Sequence, residues 1–535
     1  MTQDRKSRAV LKKVLAAFLA VSMAVGAAGC SGGSSGSSSG SAESTGAADN
    51  TSKATGAYEG LDISKPVTLT FYNLGDIPAD MQKVQDEANS KYFKPLLNCT
   101  VNFDFLSWSD YKTKYDLILA GGDQVDLIYT ANWCYYSQEA NKGAFKELTM
   151  DYIKKFMPQT YKSQAAASWD QMSLNGKIYG VSQNSENATL ASYKYIAYRD
   201  DLRKKYNLPE IKDIASMQNY LFAIAEKEKG IQGIASAGEN DELRNVMVFQ
   251  ANNLNTLDPS YDFVYQTKDS KAPPSSDIFY VYTSDYFKKY AETMAEWASK
   301  GVWSRNAINN TVSVNDAYAN GKGALIVWNG SVFTYGKTLD DSKIGTTAYA
   351  DITPDAIVKE QPFSGDAVAI AHASANPDRA AMVLDLMKNN VDLNRLLEGG
   401  IEGTHYKLNS DNTRSLGPDA ENYSWDNWSW GIRMKDQLDQ SDVDSRQKEQ
   451  NDNILSRKIQ TDIDGFTFDE TPVKSEMAVV NSIRDEYRSS FELGAYGDKT
   501  DETFEQFNQE LDQGGLQTVL KEFLKQYEAY VSKKK

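Results

Sequence analysis

The stretch VTLTFYNLGD, Val67–Asp76, reads as a β-strand: β-branched and aromatic residues fill it, and a polar Gly-Asp turn stops it. Working outward, MQKVQDEANSKYF (Met81–Phe93) has helical spacing and TVNFDFLSW (Thr100–Trp108) is β-rich again. YKTKYDLILAGG (Tyr111–Gly122) is a helix closing on glycines, and VDLIYTANW (Val125–Trp133) is a third strand. Strands alternating with helices predict an α/β fold with a largely parallel sheet covered on both faces. In such sheets ligands sit beyond the carboxyl ends of the strands, so YNLGD, LSWSD and TANWCYY project toward one crevice.

A second unit opens near NGKIYGVSQ and includes the strand-like GKGALIVWNG, after which GDAVAIAHAS and the helical PDRAAMVLDLMKNN return to the first kind of unit. Interleaved lobes with several crossovers act as a hinge. The expected division is 61–182 and 366–412 for lobe 1, and 183–365 and 413–535 for lobe 2 with a C-terminal region.

Ahead of these lies a different kind of chain. Arg5, Lys6, Arg8, Lys12 and Lys13 precede an apolar run, Val14–Val25, too short to span a bilayer, which is the anatomy of a secretory signal peptide over residues 1–29. Residues 30–60, rich in glycine and serine, read as a flexible tether that cannot bury enough surface to become ordered. The junction Ala27-Ala28-Gly29-Cys30 resembles the lipobox of bacterial lipoproteins. That resemblance implies cleavage before Cys30 and a diacylglyceryl group on its thiol, placing the protein on the outer face of the cell membrane, held by lipid only.

The chain has 535 residues, 41% of them hydrophobic, more than a single core usually supports. Its formal charge is −16, and removing residues 1–29 takes away five basic residues and one acid, leaving about −20. Nucleic acid and anionic lipid are poor partners for such a surface. Beyond Cys30 only Cys99 and Cys134 remain; two separate buried thiols are expected, with pairing left open.

Catalytic signatures are thin. Of the two histidines, His372 reads as a packed strand residue and His405, near Glu402, as the holder of a turn. GSVFTYGKT has five residues between its glycines where a phosphate loop has four, and DIDGFTFDE places Glu470 one position early for a calcium loop. The 73 acidic residues supply carboxylate pairs everywhere, none marked by its context. No enzyme, cofactor or metal is expected.

DYKTKYDLILAGGDQVDLIYT, NGKIYGV, YRDDLRKKYNLP and AYANGKGALIVWNG stand in an order that resembles the extracellular solute-binding proteins of ABC importers, family 1, the maltose-binding type. LLEGGIEGTHY, GFTFDETPVKSEMAVVNSIRDEY and FNQELDQGGLQTVLKEFLKQYEAYV are similar to the large Gram-positive lipoprotein branch with a C-terminal domain of unknown function. The resemblance implies a periplasmic-binding-protein-like fold of type II, two interleaved α/β lobes joined by a multi-strand hinge. It also implies an oligosaccharide ligand, the transmembrane subunits of an ABC permease as partners, and a monomer. A peptide or other organic solute is the alternative within this class, and a polysaccharide-degrading lipoprotein the alternative outside it.

Sugar rings have apolar faces and hydroxyl rims, so their sites combine aromatic platforms with carboxylates and amides. The chain supplies 31 Tyr and 9 Trp. With the family's contacts carried to the loops after the strands, the candidates in lobe 1 are Asn73, Asp76, Trp108, Asn132, Trp133 and Tyr135. From lobe 2 come Trp328 and Asn329, at the crossover Asp366, and in YSWDNWSWG Trp425, Trp428 and Trp430 beside Asp426. Structural readings compete: Trp108 as a helix anchor, Asp76 as a helix cap, Asp366 as a hinge brace, the tryptophan cluster as a latch under the C-terminal region.

Overall fold

The computed structural model describes residues 54–108, 110–121, 124–185, 193–423, 438 and 445–534. The strands used below are β1 (Val67–Leu74), β2 (Cys99–Leu106), β3 (Leu127–Thr130), β4 (Gly180–Ser182), β5 (Tyr195–Arg199), β6 (Leu325–Trp328), β7 (Thr347–Ala350), β8 (Val358–Lys359), β9 (Ala367–Ile370) and β10 (Lys458–Ile459). The helices are α1 (Tyr111–Ala120), α2 (Tyr136–Asn141), α3 (Asp285–Ser299), α4 (Pro377–Asn389), α5 (Lys474–Glu492), α6 (Thr500–Gln513) and α7 (Leu516–Lys534).

Lobe 1 is built on a five-stranded sheet in the order β2-β1-β3-β9-β4. β1 runs parallel to β2 from Val67↔Cys99 to Leu74↔Leu106, and Phe71 faces Leu127 of β3. Leu69 and Phe71 are fully buried and Thr70 nearly so, as expected for a strand covered on both faces. β9 is antiparallel to β3 and to β4, with Ala367 opposite both Thr130 and Ser182. Four strands therefore run toward one edge, and β9, which brings the chain back from lobe 2, runs away from it. Leu74, Leu106, Thr130, Ser182 and Ala367 line up along that edge.

The lobe 1 core starts earlier than the sequence suggested. Ala54 and Tyr58 are buried in it, and the Tyr58 hydroxyl donates to the carbonyl of Met382 at 3.3 Å. The expected tether to residue 60 is thus shortened, because Tyr58, the first large ring after the glycine-serine tract, finds cover against α4. At the other end Tyr423, beyond the expected boundary at 412, still belongs to this core and donates to the carbonyl of Leu397.

Lobe 2 carries the antiparallel sheet β6-β5-β7, with Trp328 opposite Tyr195. Helix α3 is capped by Ser284 Oγ, which accepts from the Phe287 amide, and buries Phe287, Tyr290, Ala291, Met294 and Trp297 at helical spacing. The C-terminal helices α5 and α6 pack on this stripe, and α7 packs on Phe263 in the same core. Phe287 meets Phe491 at 5.8 Å and Phe504 at 6.4 Å between ring centroids, and Phe263 meets Phe523 at 4.4 Å. All belong to one core.

The chain passes between the two cores after β4, again before β9, and a third time beyond Tyr423. β8 and β10 pair in parallel there, over a small core of Tyr193, Ala356, Val358 and Ile454. Arg457 locks the lobe 2 side: its guanidinium donates to the carbonyls of Thr353, Pro354 and Ala356 and pairs with Asp351 at 2.7 Å. On the lobe 1 side the buried ammonium of Lys388 donates to the carbonyls of Ser182 and Gln183 at 2.8 and 3.0 Å.

Candidate functional site

The sheet edge of lobe 1 collects most of the expected residues. Asn73, at the end of β1, is buried, and its side-chain oxygen has no hydrogen-bond partner among the described residues. Gly75, at φ +118°, makes the turn that lets the chain pass under Trp108; a Cβ there would lie 3.9 Å from the indole nitrogen. Trp108 is 47% exposed and meets Tyr111 edge-on at 5.8 Å. Asp76 is exposed, and it is not a cap: the following helix starts at Met81 behind Asp80.

After β3 the chain turns sharply. Tyr135 sits at φ +59°, a left-handed conformation that costs a bulky side chain roughly 1–2 kcal/mol. Its ring packs against Tyr115 at 5.1 Å and Tyr111 at 6.4 Å, so Trp108, Tyr111, Tyr135 and Tyr115 form one aromatic row. Trp133 is 38% exposed and donates its indole N–H to the carbonyl of Gly365 at 2.7 Å. Beside it the Tyr129 hydroxyl donates to the carboxylate of Asp366 at 2.8 Å, which ties β3 to the returning crossover. Asp366 is buried in that role.

Lobe 2 offers paired charges. Trp328 is half-buried at the end of β6 with the Lys194 ammonium 5.9 Å from its ring centroid, and Lys194 pairs with Glu242 at 2.8 Å. Asn329 is exposed and holds its own turn, accepting from the Ser331 amide. Glu239 pairs with Arg488 at 2.9 Å. In the lobe 1 row the Tyr111 hydroxyl is pushed up to about 12, by burial first, then by Cys134 and Tyr135, and finally by the charge of Glu239.

The two sides touch where Ser260 Oγ donates to the carbonyl of Asn132 at 2.6 Å. Next to this contact lies a cavity of about 160 Å³, lined by Asn132 and Tyr136 from lobe 1, Asp258 from lobe 2, Glu360 and Ser364 from the crossover, and Asp464. Asp258 is buried and accepts from the amides of Ser260 and Phe468; burial pushes its carboxyl up to about 6.

Trp425, Asp426, Trp428 and Trp430, and Cys30, lie outside the described residues. Cys99 and Cys134 are free and buried; burial pushes the Cys99 thiol up to about 12 and raises that of Cys134, which makes both poor nucleophiles. His372 corrects the expectation of a packed residue: β9 stops at Ile370 and His372 is exposed in the following turn. His405 does hold a turn, its Nδ1 accepting from the Ile401 amide, but its other nitrogen faces Asp80 at 3.2 Å and not Glu402. Among the described residues no group of three or more His, Cys, Asp or Glu is placed to hold a metal ion.

Sequence reasoning missed Tyr111, Lys194, Glu239, Glu242 and Gln183. Tyr111 carried a signal, since it stands i, i+4 from Tyr115 on the helix after Trp108. Gln183 is fully buried at the sheet edge, and neither end of its amide has a partner among the described residues.

Comparison with known proteins places this geometry. An N-glycan transport solute-binding protein (NgtS) from Streptococcus pneumoniae, solved in complex with Man1GlcNAc, superposes with a TM-score of 0.69 at 20% identity, covering 87% of this chain and all of that one. The fold is that of a type II solute-binding protein. The alginate-binding protein AlgQ2 shares this solute-binding fold at a TM-score of 0.64 and 15% identity, over 87% of this chain and 98% of its own. In sequence, the chain is 23% identical over 490 residues to a carbohydrate ABC transporter substrate-binding protein of Streptococcus pneumoniae serotype 4 (strain ATCC BAA-334 / TIGR4), spanning 88% of this chain and 92% of the relative. Residues 462–532 match a family described as a domain of unknown function (DUF3502). No helix among the described residues is long and apolar enough to cross a membrane.

Proposed function

We propose that the protein is a receptor that captures an extracellular oligosaccharide between its lobes and delivers it to the transmembrane subunits of an ABC permease. It is anchored to the outer face of the membrane through lipid on Cys30 and works as a monomer. The observation that carries this reading is the exposed aromatic rim, Trp108 and Trp133, at the edge of the lobe 1 sheet where Asn132 meets Ser260 of lobe 2; to it we assign the paired charges of Glu239, Glu242 and Lys194 as a polar wall. Rings stack on the apolar faces of a sugar while the wall bonds to its hydroxyls.

Asn73, Asp76, Asn132, Tyr135, Trp328 and Asn329 contribute from the two rims, with Trp425, Trp428 and Trp430 as further platforms. Asp366 acts through Tyr129 and the hinge. Ligand closes the hinge only to the extent that it binds the closed form more tightly than the open one. The permease then reads the closed shape, and no bond in the ligand is broken.

A thermal-shift screen of the lipid-free mature chain tests this, with Man1GlcNAc, fructo-oligosaccharides and alginate oligosaccharides against dipeptides and monosaccharides. A ligand at a hundred times its Kd stabilises by about 2.7 kcal/mol. A shift with one glycan class, without release of shorter sugars, is the expected result. A response to peptides alone overturns the substrate class, and glycan cleavage overturns the receptor.

A further inference from the structure

We infer that the C-terminal helical domain is a brace behind the lobe 2 wall of the cleft, with Arg488 and Glu492 as positioning residues for ligand recognition by the segment from Ala237 to Glu242. The inference deepens the receptor reading above and rests on it.

The domain is built as a fixture and not as a lid. Its helices complete the core of α3, and Gly494, just past the end of α5, lies so close to α3 that a Cβ would collide with the carbonyl of Met294. Trp303 donates its indole N–H to the carbonyl of Leu493 at 3.0 Å. The end of α5 therefore has one position relative to lobe 2.

From that end two side chains reach the wall. Glu492 is fully buried; its carboxylate accepts from the Asn240 amide at 3.2 Å and pairs with Arg244 at 2.7 Å, while its carbonyl accepts from Asn240 Nδ2 at 3.1 Å. One turn earlier Arg488 pairs with Glu239. The segment they hold is also tied to lobe 2, by the Gly238 amide donating to the carbonyl of Ala307 at 2.8 Å and the Tyr290 hydroxyl donating to the carbonyl of Asn240 at 2.9 Å. It makes a turn at Gly238, φ +76°, with a single bridge between Ala237 and Glu239. It carries the two carboxylates assigned above to the wall: Glu239, held by Arg488, and Glu242, which pairs with Lys194 beside the Trp328 ring. A polar wall must hold its geometry to within about half an ångström to recognise hydroxyls, and here that geometry is supplied from the side away from the ligand.

The test uses the full mature chain and the variants Arg488→Ala, Arg488→Lys and Glu492→Gln. Amide hydrogen exchange is followed in residues 237–245, with Man1GlcNAc affinity measured by calorimetry. In Arg488→Ala, exchange in this segment is expected to quicken at least tenfold while β1 and β3 keep their protection, and affinity to fall about tenfold. Arg488→Lys, which can still reach Glu239, restores both; a merely structural loss would not be rescued. Glu492→Gln keeps the shape of the side chain and gives the same local loosening. Unchanged exchange overturns the brace whether or not any glycan binds, and loosening with unchanged affinity overturns its role in recognition. Failure of the unaltered chain to bind any glycan would instead overturn the receptor reading, with the exchange result standing on its own.

Discussion

In the proposed site lobe 1 supplies exposed rings and lobe 2 supplies paired charges, and the two surfaces are supported in opposite ways. Trp108 and Trp133 stand partly in solvent, Trp108 against the ring of Tyr111 and Trp133 against the ring of Tyr129 and the carbonyl of Gly365, on loops directly after strands. Glu239, Asn240 and Glu242 are bonded to groups on three sides, including a helix more than two hundred residues away in the chain. An aromatic ring has few rotamers to fix and loses little by partial exposure. A charged wall must be desolvated and oriented, so each group needs a partner before ligand arrives. The rim and the wall should accordingly fail differently: the rim in affinity alone, the wall in stability as well.

The largest effect falls on the wall. Glu492→Ala leaves Arg244 buried without its counter-charge, beside Tyr282, and the cost of breaking such a pair is about 3–5 kcal/mol. Because burial pushes the Glu492 carboxyl up to about 7, urea unfolding at about pH 8 should show it as a lower midpoint with an unchanged slope. A loss below about 1 kcal/mol would mean that the wall is not held as the geometry describes.

Next comes a dependence on pH, again on the lobe 2 side. The Asp258 carboxyl is raised from 3.8 to about 6, by burial first, against the pull of the Phe468 and Ser260 amides. The native state thus keeps a proton that the unfolded chain releases. The stabilisation is fully present below about pH 4 and is lost as pH rises through 6, up to roughly 3 kcal/mol. Asp258→Asn removes this titration, so the stability of the unaltered chain relative to the variant should shrink between pH 4 and pH 7. A constant difference across that range would place an ordinary carboxylate in the cavity.

The contrast between rim and wall also explains what the sequence revealed. The rim is local: strand periodicity locates β1, β2 and β3, and their ends deliver Asn73, Trp108, Asn132 and Trp133 without further information. The wall is not local. Arg244 and Glu492 are 248 positions apart, and nothing in GENDELR or RSSFEL announces the other. Strand direction was hidden for the same reason, since β9 reverses only because the chain returns from lobe 2 at the edge it left. His372 misled because AVAIAHAS continues its alternation past the point where β9 ends. Tyr58 misled in the other direction, one ring sufficing to dock a segment whose composition reads as tether.

On the rim, Trp133→Ala should lower glycan affinity by about thirtyfold, roughly 2 kcal/mol, the usual size for a central aromatic anchor. Because the ring is 38% exposed, stability should fall by no more than about 1 kcal/mol, mostly the bond to Gly365. Calorimetry with the best-bound oligosaccharide, beside a thermal melt without ligand, separates the two. A melt that drops as far as in Glu492→Ala would remove the distinction between the surfaces.

Trp108→Ala carries the smallest effect and the sharpest choice. The ring could serve sugar as a platform or serve α1 as an anchor through its edge-on contact with Tyr111. At 47% exposure it has about half its surface to offer a ligand, so a platform role predicts a fivefold loss of affinity, about 1 kcal/mol, with the melt shifted by less than the equivalent of 0.5 kcal/mol. An anchor role predicts the reverse, a lower melt with affinity untouched. Since Gly75 brings the chain under this ring at φ +118°, a conformation no other residue adopts readily, Gly75→Ala supplies the control. It should disturb affinity together with Trp108 if the turn exists to present the ring, and stability alone if it exists only to end β1.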